Sequence, residues 1–181
     1  MVFTLPNFIT VIRIILVPVF LKSALQTGEL NIPEIVFILS VSALSDFLDG
    51  YIARKYNLTS KTGAVLDPFA DKLMQSAVLF ALFKHKWIPL WLLLFVCIKE
   101  IIICAGAAIL IKNKIDVRAK AAGKAATIIF YIAAFIMVLF EPTGILSRVI
   151  DAVIIISAVY ALASYSELFI KNIFKRKEQN G

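Results

Sequence analysis

Six long apolar stretches alternate with short polar segments along the chain. Each stretch is long enough for a helix to cross a lipid bilayer, which takes about 20 residues. The stretches cover residues 7–24, 33–55, 63–83, 88–111, 120–140 and 145–170. Prolines stand at or just before three expected helix starts, where a missing N–H costs little: Pro6, Pro33 and Pro142. The pattern predicts an all-α, polytopic membrane protein with six transmembrane helices.

Composition points to the same class of protein. Of the 181 residues, 61% are hydrophobic, and the mean hydropathy of +0.91 is foreign to a water-soluble domain. No repeat or internal boundary is evident, so residues 1–181 are predicted to form one membrane domain. The basic tail at about 171–181 is expected to fray at the lipid surface. The first apolar stretch contains Arg13 and no basic segment leads into it, which favours a retained helix over a cleaved signal peptide.

The net charge of +7 is distributed around the apolar stretches. Because the basic residues lie between these stretches and beside the expected bilayer edges, lipid headgroups are the expected polyanions and nucleic acid is not a predicted partner. Twelve Lys and Arg residues fall on the side of the 56–62 segment and four on the opposite side. By the positive-inside rule, both termini are cytoplasmic and the protein is predicted to lie in a bacterial cytoplasmic membrane.

Several chemically reactive side chains favour ordinary roles. Cys97 and Cys104 are seven residues apart on one helix face, about 10 Å along the axis, so they cannot pair and are expected to act as small hydrophobes. His85 lies between two lysines in a predicted loop and is expected to be solvated. Asp151 and Glu167 are single acids of the last helix, expected to serve packing or an interface rather than catalysis.

Four aspartates occur in the stretch 45–73, where the surrounding chain is apolar: Asp46, Asp49, Asp67 and Asp71. One aspartate near a bilayer centre costs roughly 2.5–3.5 kcal/mol, so four together require an explanation. Spacings of three and four residues place each pair on one helix face. The polar segment 55–61 suits a turn between antiparallel helices, which would let the pairs face each other. Because four carboxylates at short range repel, the pattern predicts bound divalent cations, and oxygen ligands favour Mg²⁺ or Mn²⁺.

Small and basic residues follow the first aspartate pair. Gly50 and Ala53 remove bulk from the face that carries Asp46, and Arg54 adds a planar donor fork suited to phosphate. Together with the acids they predict a site for a metal-bound diphosphate. Helix packing by small residues and anchoring of the arginine at the bilayer interface are the alternatives.

Eight positions in this stretch have the types and gaps of D-x2-D-G-x2-A-R-x8-G-x3-D-x3-D: Asp46, Asp49, Gly50, Ala53, Arg54, Gly63, Asp67 and Asp71. In this the chain resembles the CDP-alcohol phosphotransferase family. A looser resemblance runs over the whole chain, from LPNFITVIRIILVP at 5–18 to GKAAT at 123–127. The chain looks most like the branches that form phosphatidylglycerophosphate and, with release of CMP, cardiolipin.

The resemblance implies roles for these residues. Asp46, Asp49 and Asp67 would bind two metal ions, and Asp71 would join them and act as the general base on the acceptor hydroxyl. Gly63 would lie near the nucleotide. The polar stripe of Asn7, Thr10 and Arg13 would close the nucleotide pocket; the alternative is an N-cap followed by an arginine that snorkels to the interface.

Acceptor recognition is assigned to basic residues later in the chain. Lys99 lies with Glu100 inside the fourth span, where ionisable groups indicate function. The family's phosphatidylglycerophosphate synthases typically carry arginine at position 99 and a second arginine where this chain has Ala107, which shifts weight toward phosphatidylglycerol as acceptor. The remaining basic candidates surround the start of the fifth helix, where the positive-inside rule is the alternative explanation: Arg118, Lys120 and Lys124. Thr127 lies one turn after Lys124 and could reach the same acceptor phosphate.

The resemblance therefore implies an enzyme that moves a phosphatidyl group from CDP-diacylglycerol to a glycerol-type hydroxyl and releases CMP. Glycerol 3-phosphate is the first candidate acceptor, phosphatidylglycerol the second and inositol phosphate a distant third. The family also implies a homodimer. A cation-coupled transporter is the alternative from another class, since it too would use intramembrane carboxylates.

Overall fold

The computed structural model describes residues 5–26, 31–56, 63–112 and 121–180. Every regular element in these ranges is an α-helix. The helices are α1 (Leu5–Leu25), α2 (Ile32–Tyr56), α3 (Gly63–Lys84), α4 (Leu90–Lys112), α5 (Ala121–Phe140) and α6 (Gly144–Asn180). The six predicted helices are confirmed. α6 continues through the basic tail, which the sequence predicts to fray, because Lys, Arg, Glu and Gln are good helix formers.

Two of these helices contain segments long and apolar enough to cross a membrane, Leu90–Leu110 and Gly144–Glu167. Two shorter apolar segments are Ile32–Ser45 and Ala125–Phe140. In the most apolar part of each long segment, only 17% of Leu90–Leu110 and 28% of Gly144–Glu167 is buried within the protein. Their apolar side chains are therefore directed mainly away from the protein interior.

The described helices group into two compact units. The first contains α1, α2, α3 and the end of α5 from Ala134 onward, and the second contains α4, the start of α5 and α6. In the first unit α1 packs against both α2 and α3, and in the second α4 packs against α6. Large apolar side chains such as Phe20, Leu39 and Met74 are fully buried in the first unit.

Side-chain hydrogen bonds fix the start of α2. Asn31 precedes the helix, and its Oδ1 accepts the backbone N–H of Glu34 at 3.3 Å, as an N-cap does. The Glu34 carboxylate accepts in return from Asn31 Nδ2 at 3.0 Å and from Ser23 Oγ, at the end of α1, at 2.6 Å. These bonds satisfy free groups at the helix start and join the last turn of α1 to the first turn of α2.

The end of α3 is closed by a Schellman motif. The N–H of Lys86 donates to Phe83 O at 2.9 Å and that of Trp87 to Leu82 O at 3.0 Å, with Lys86 in the left-handed region at φ 59°. This turn brings His85 Nε2 to 2.6 Å from Ala24 O, a carbonyl at the end of α1. The expectation that His85 is merely solvated is wrong, because the side chain is half-buried and satisfies a helix-terminal carbonyl.

Close helix approach marks the second unit. A Cβ added at Gly123, in the first turns of α5, would meet the ring and hydroxyl of Tyr165 on α6 at 3.0 and 3.1 Å. Glycine therefore permits this close contact, and a larger residue would require the Tyr165 side chain to shift by a few tenths of an ångström. At Gly106 the corresponding Cβ would lie 3.8 Å from Phe169 Cδ2, which is ordinary van der Waals contact. Cys97 and Cys104 are both free thiols, as predicted.

Candidate active site

Two contacts fix the relative directions of α1, α2 and α3 in the first unit. The bond between Ser23 and Glu34 joins the end of α1 to the start of α2. The bond between His85 and the Ala24 carbonyl joins the end of α3 to the same end of α1. α2 therefore runs antiparallel to α1, and α3 runs parallel to it. The other end of the unit gathers the start of α1, the end of α2 and the start of α3.

The predicted metal and nucleotide residues of α1, α2 and α3 lie toward that second end. At a rise of 1.5 Å per residue, Thr10 lies about 20 Å along α1 from Ser23, and Asp46 lies about 18 Å along α2 from Glu34. Asp71 lies about 21 Å along α3 from His85, with Asp49 and Asp67 somewhat farther from the two contacts. Because α2 and α3 both pack on α1, their axes are within about 20 Å of each other. Residues distant in sequence are thus brought to one region.

A layer of polar side chains is buried in this part of the first unit. Exposed fractions are 0% for Thr10, 1% for Arg13, 1% for Ser42 and 3% for Gln75. An arginine that snorkels to the interface would keep its guanidinium in water, so the alternative of a snorkelling Arg13 is wrong. Ser42 and Gln75 were not singled out by the sequence, although Gln75 follows Asp71 by four residues and therefore shares its helix face.

Asp71 is the predicted site carboxylate whose side chain the structure describes. It is half-buried one turn before Gln75, whose Oε1 accepts a hydrogen bond from Lys72 Nζ at 3.3 Å. Asp46, Asp49, Gly50, Ala53 and Arg54 are placed by the backbone of α2, and Gly63 and Asp67 by that of α3. Asn7 is placed likewise by α1. The side chains of these residues lie outside the described part of the structure.

The donor set fits a hard divalent cation. α2 carries Asp46 and Asp49 on one face, α3 carries Asp67 and Asp71 on another, and all four occur at the same end of the unit. Carboxylate oxygens without histidine or thiolate are the ligands of Mg²⁺ and Mn²⁺. Gly63 is the first residue of α3, so Asp67 and Asp71 lie about one and two turns into the helix, beyond its first turn.

Lys99, a predicted acceptor contact, is buried in α4. Its ammonium forms an ion pair with the carboxylate of Glu100, with side-chain exposures of 6% and 13%. The charge of Lys99 is therefore balanced within the helix. An anionic acceptor at this position would have to share the ammonium with Glu100.

The start of α5 holds two more candidates. Thr127 Oγ1 donates to the Gly123 carbonyl at 3.2 Å, so contact with a phosphate would require its hydroxyl to exchange that bond. Lys124 lies between them on the same helix, with its side chain outside the described residues. Arg118 and Lys120 fall in the segment 113–120, also outside the described residues.

Comparison with known proteins identifies the relatives of this chain. Residues 3–168 match the profile of the CDP-alcohol phosphatidyltransferase family. The chain belongs to the CDP-alcohol phosphatidyltransferase family. The matched region includes the aspartate helices and the start of α5, so every residue of the D-x2-D-G-x2-A-R pattern and its continuation falls within the part of the chain that the family shares.

Individual members of the family match over most of the chain. The CDP-diacylglycerol–glycerol-3-phosphate 3-phosphatidyltransferase of Bacillus subtilis is 31% identical over 98% of this chain and 100% of its own length. A protein of the same name from Rickettsia bellii is 33% identical over 75% of each chain. A CMP-forming cardiolipin synthase of Streptomyces coelicolor is 32% identical over 79% of this chain and 68% of its own length.

Proposed function

We propose that this chain transfers the phosphatidyl group of CDP-diacylglycerol to glycerol 3-phosphate, forming phosphatidylglycerophosphate and CMP. The observation that carries the proposal is that the backbone positions of the two aspartate pairs and the polar start of α1 fall at one end of the first unit. The near full-length similarity to the Bacillus subtilis enzyme supports this choice of reaction.

The reaction needs a base for the incoming alcohol and a charged cradle for the diphosphate. In the proposed mechanism Asp71 accepts the proton of the acceptor hydroxyl. The hydroxyl oxygen attacks the lipid-side phosphorus, and the bond from that phosphorus to the CMP oxygen breaks in line. Arg54 would pair with the diphosphate through its planar fork, while the small residues Gly50 and Ala53 leave room for the nucleotide.

Asp46, Asp49, Asp67 and Asp71 would hold the metal, with two Mg²⁺ or Mn²⁺ ions as the proposed complement. When bound, the ions would neutralise the diphosphate and stabilise the charge that develops on the leaving CMP oxygen. Asn7 and Thr10 would close the pocket around the nucleotide. Lys99, Arg118, Lys120, Lys124 and Thr127 are the proposed contacts of the acceptor.

A bilayer location suits a lipid substrate, and we propose that all six helices span the membrane. Large apolar side chains on several helices are exposed, including Phe37 at 68%, Ile101 at 67% and Ile156 at 68%. Hydroxyl groups on apolar helix faces donate to carbonyls of the preceding turn, as Ser40 does to Val36 and Ser45 to Val41. In lipid such groups have no water to bond, so these internal bonds favour insertion.

The proposed orientation follows from the Lys and Arg distribution described above. It places both termini and the aspartate end in the cytoplasm, the compartment that contains CDP-linked substrates and soluble glycerol 3-phosphate. The acyl chains of the substrate would remain in the bilayer while its headgroup reaches the aspartates from the side.

The test of the reaction is a product assay. Purified protein is supplied with CDP-diacylglycerol, Mg²⁺ and one acceptor at a time: glycerol 3-phosphate, phosphatidylglycerol or inositol phosphate. The lipid product is identified by mass spectrometry and CMP is measured in parallel. We expect phosphatidylglycerophosphate with glycerol 3-phosphate. If none of the three acceptors supports CMP release, the assignment is overturned.

Phosphatidylglycerol is the second candidate acceptor, which would make the enzyme a CMP-forming cardiolipin synthase. The internally balanced Lys99 and the alanine at position 107 favour it, because both reduce the positive charge available to a small phosphate. The transporter alternative predicts uptake of a solute into vesicles and no release of CMP.

A further inference from the structure

Arg13 is a buried cation to which the proposed reaction assigns no step. It is 1% exposed, in the middle of an apolar helix. Arginine is almost never fully buried unless a group of opposite charge accompanies it, because removing a guanidinium from water is costly. The surroundings of Arg13 should therefore include negative charge.

The positions of the acidic residues indicate the source of that charge. Of the acids in the first unit other than the four aspartates, Glu141 is exposed just after α5, and the remaining two are Glu29 and Glu34. Both belong to the α1–α2 connection and the start of α2, and the Glu34 carboxylate is bonded to Ser23 and Asn31 at that end. The aspartates occupy the opposite end of the unit.

We expect the side chain of Arg13 to incline toward the end of the unit that carries the aspartates. Helix side chains tilt toward the N-terminus of their own helix, and the N-terminus of α1 is at the aspartate end. Arg13 lies about 15 Å along α1 from Ser23, and Gln75 lies about 15 Å along α3 from His85, so the backbone of Arg13 is about one helical turn from the level of Asp71.

We propose that Arg13 is a positioning residue whose buried guanidinium is the permanent counter-charge of the aspartate cluster. It holds the carboxylates together when no divalent cation is bound. The inference rests on the proposed function, since it requires that the aspartates bind metal. It differs from a role in the nucleotide pocket, because Arg13 then acts on the protein's own acids and not on the substrate.

This role makes a signed prediction about metal-free protein. Without Arg13, four carboxylates repel one another until cations arrive, so the metal-free form loses more stability than the metal-bound form. The divalent cation also no longer competes with a nearby positive charge, so it binds more tightly.

The experiment compares thermal unfolding of the full chain in detergent, in EDTA and in saturating Mg²⁺, without substrate. The variants are Arg13→Gln, which removes the charge, Arg13→Lys, which keeps it, and Lys22→Gln, which removes an exposed cation from the other end of α1. We expect the Mg²⁺-induced rise in Tm to be larger in Arg13→Gln than in wild type by about 4 °C or more. Arg13→Lys and Lys22→Gln should keep a rise close to that of wild type.

Mn²⁺ binding, measured by electron paramagnetic resonance without substrate, is the second readout. Arg13→Gln should bind Mn²⁺ about tenfold more tightly, as expected from the loss of a nearby like charge. If Arg13→Gln can be purified in folded form only in Mg²⁺, the proposal is supported. If it cannot be purified in either EDTA or Mg²⁺, the proposal is overturned. Equal falls in Tm under both conditions would show packing alone and overturn it as well.

Two further outcomes separate the inference from the proposed function. If the Tm of the wild-type protein is the same with and without Mg²⁺, and Mn²⁺ does not bind, the proposed metal site is refuted. The proposed role of Arg13 is then refuted as well. If wild type binds metal and Arg13→Gln raises only the KM for CDP-diacylglycerol, with unchanged metal binding, the proposed function stands and Arg13 contacts the nucleotide instead.

Discussion

Lys99 forms an ion pair with its sequence neighbour Glu100, and both side chains are largely buried. Successive residues of a helix diverge by about 100°, so the long lysine side chain must bend around α4 to reach the carboxylate. The pair is neutral as a whole. An apolar helix can therefore carry both groups at a lower cost than either would impose alone.

Breaking this pair from one side should cost more stability than removing both charges. Glu100→Gln leaves a buried ammonium without its carboxylate, and loss of one partner of a buried pair costs about 3–5 kcal/mol. The double variant Lys99→Met with Glu100→Gln leaves no buried charge and should recover much of that loss. Unfolding free energies of the two single variants and the double variant give the coupling. Additive losses would contradict the prediction, and Lys22→Met serves as the exposed-lysine control.

Substitution of Lys99 also tests whether this residue contacts the acceptor. If its ammonium contacts the acceptor phosphate, Lys99→Ala should raise the KM for the acceptor far more than the KM for CDP-diacylglycerol. Uniform loss of ground-state and transition-state binding would leave kcat little changed. Steady-state kinetics with each substrate varied in turn measures both constants. Equal rises in the two KM values would point to a structural role for the ion pair.

Gly123→Ala should perturb the contact between α5 and Tyr165. The added Cβ would lie 3.0 Å from the Tyr165 ring, closer than side chains normally approach, and overpacking of this kind costs about 1–3 kcal/mol. Unfolding free energy is the measurement. Gly106→Ala is the matched control, because its Cβ has 3.8 Å of clearance, and helix propensity alone should make that variant neutral or slightly stabilised. A loss that Gly106→Ala reproduces would refute the steric explanation.

Asp49→Asn should abolish CMP release even at high Mg²⁺. An amide keeps the shape of the side chain and loses the charge that a hard cation requires. CMP is assayed across a Mg²⁺ titration, with Asp151→Asn as the control carboxylate. The Asp151 side chain is half-buried on α6, and its Oδ1 has no hydrogen-bond partner among the described residues, so loss of its charge should leave turnover intact. Turnover by Asp49→Asn would remove that residue from the proposed metal site.

The helices and the aspartate site can be predicted from the sequence for different physical reasons. An apolar stretch of about 20 residues is long enough to cross lipid, so the six helices follow from length and composition. The aspartates stand out because they are costly in such surroundings. Each of these signals is contained in a short window of sequence.

The remaining features depend on partners distant in sequence. Arg13 can snorkel or be buried, and the choice depends on the packing of α2 and α3 around α1. His85 bonds to a carbonyl 61 residues earlier in the chain. The hydroxyl of Thr127, predicted to contact the acceptor phosphate, donates to the backbone carbonyl of Gly123. No pattern within α1, the α3–α4 turn or α5 distinguishes these outcomes.

Membrane orientation can be tested with single cysteines in a Cys97→Ser, Cys104→Ser background. The proposed six spans put Thr143, exposed between α5 and α6, outside the cell, and Gln179, near the end of α6, in the cytoplasm. A membrane-impermeant maleimide added to intact spheroplasts should therefore label Thr143→Cys and leave Gln179→Cys unlabelled until the cells are opened. Labelling of both before opening would mean that α6 does not span the membrane. The reverse pattern would place the aspartate end outside, away from CDP-linked substrates, and would contradict both the orientation and the cytoplasmic site that follows from it.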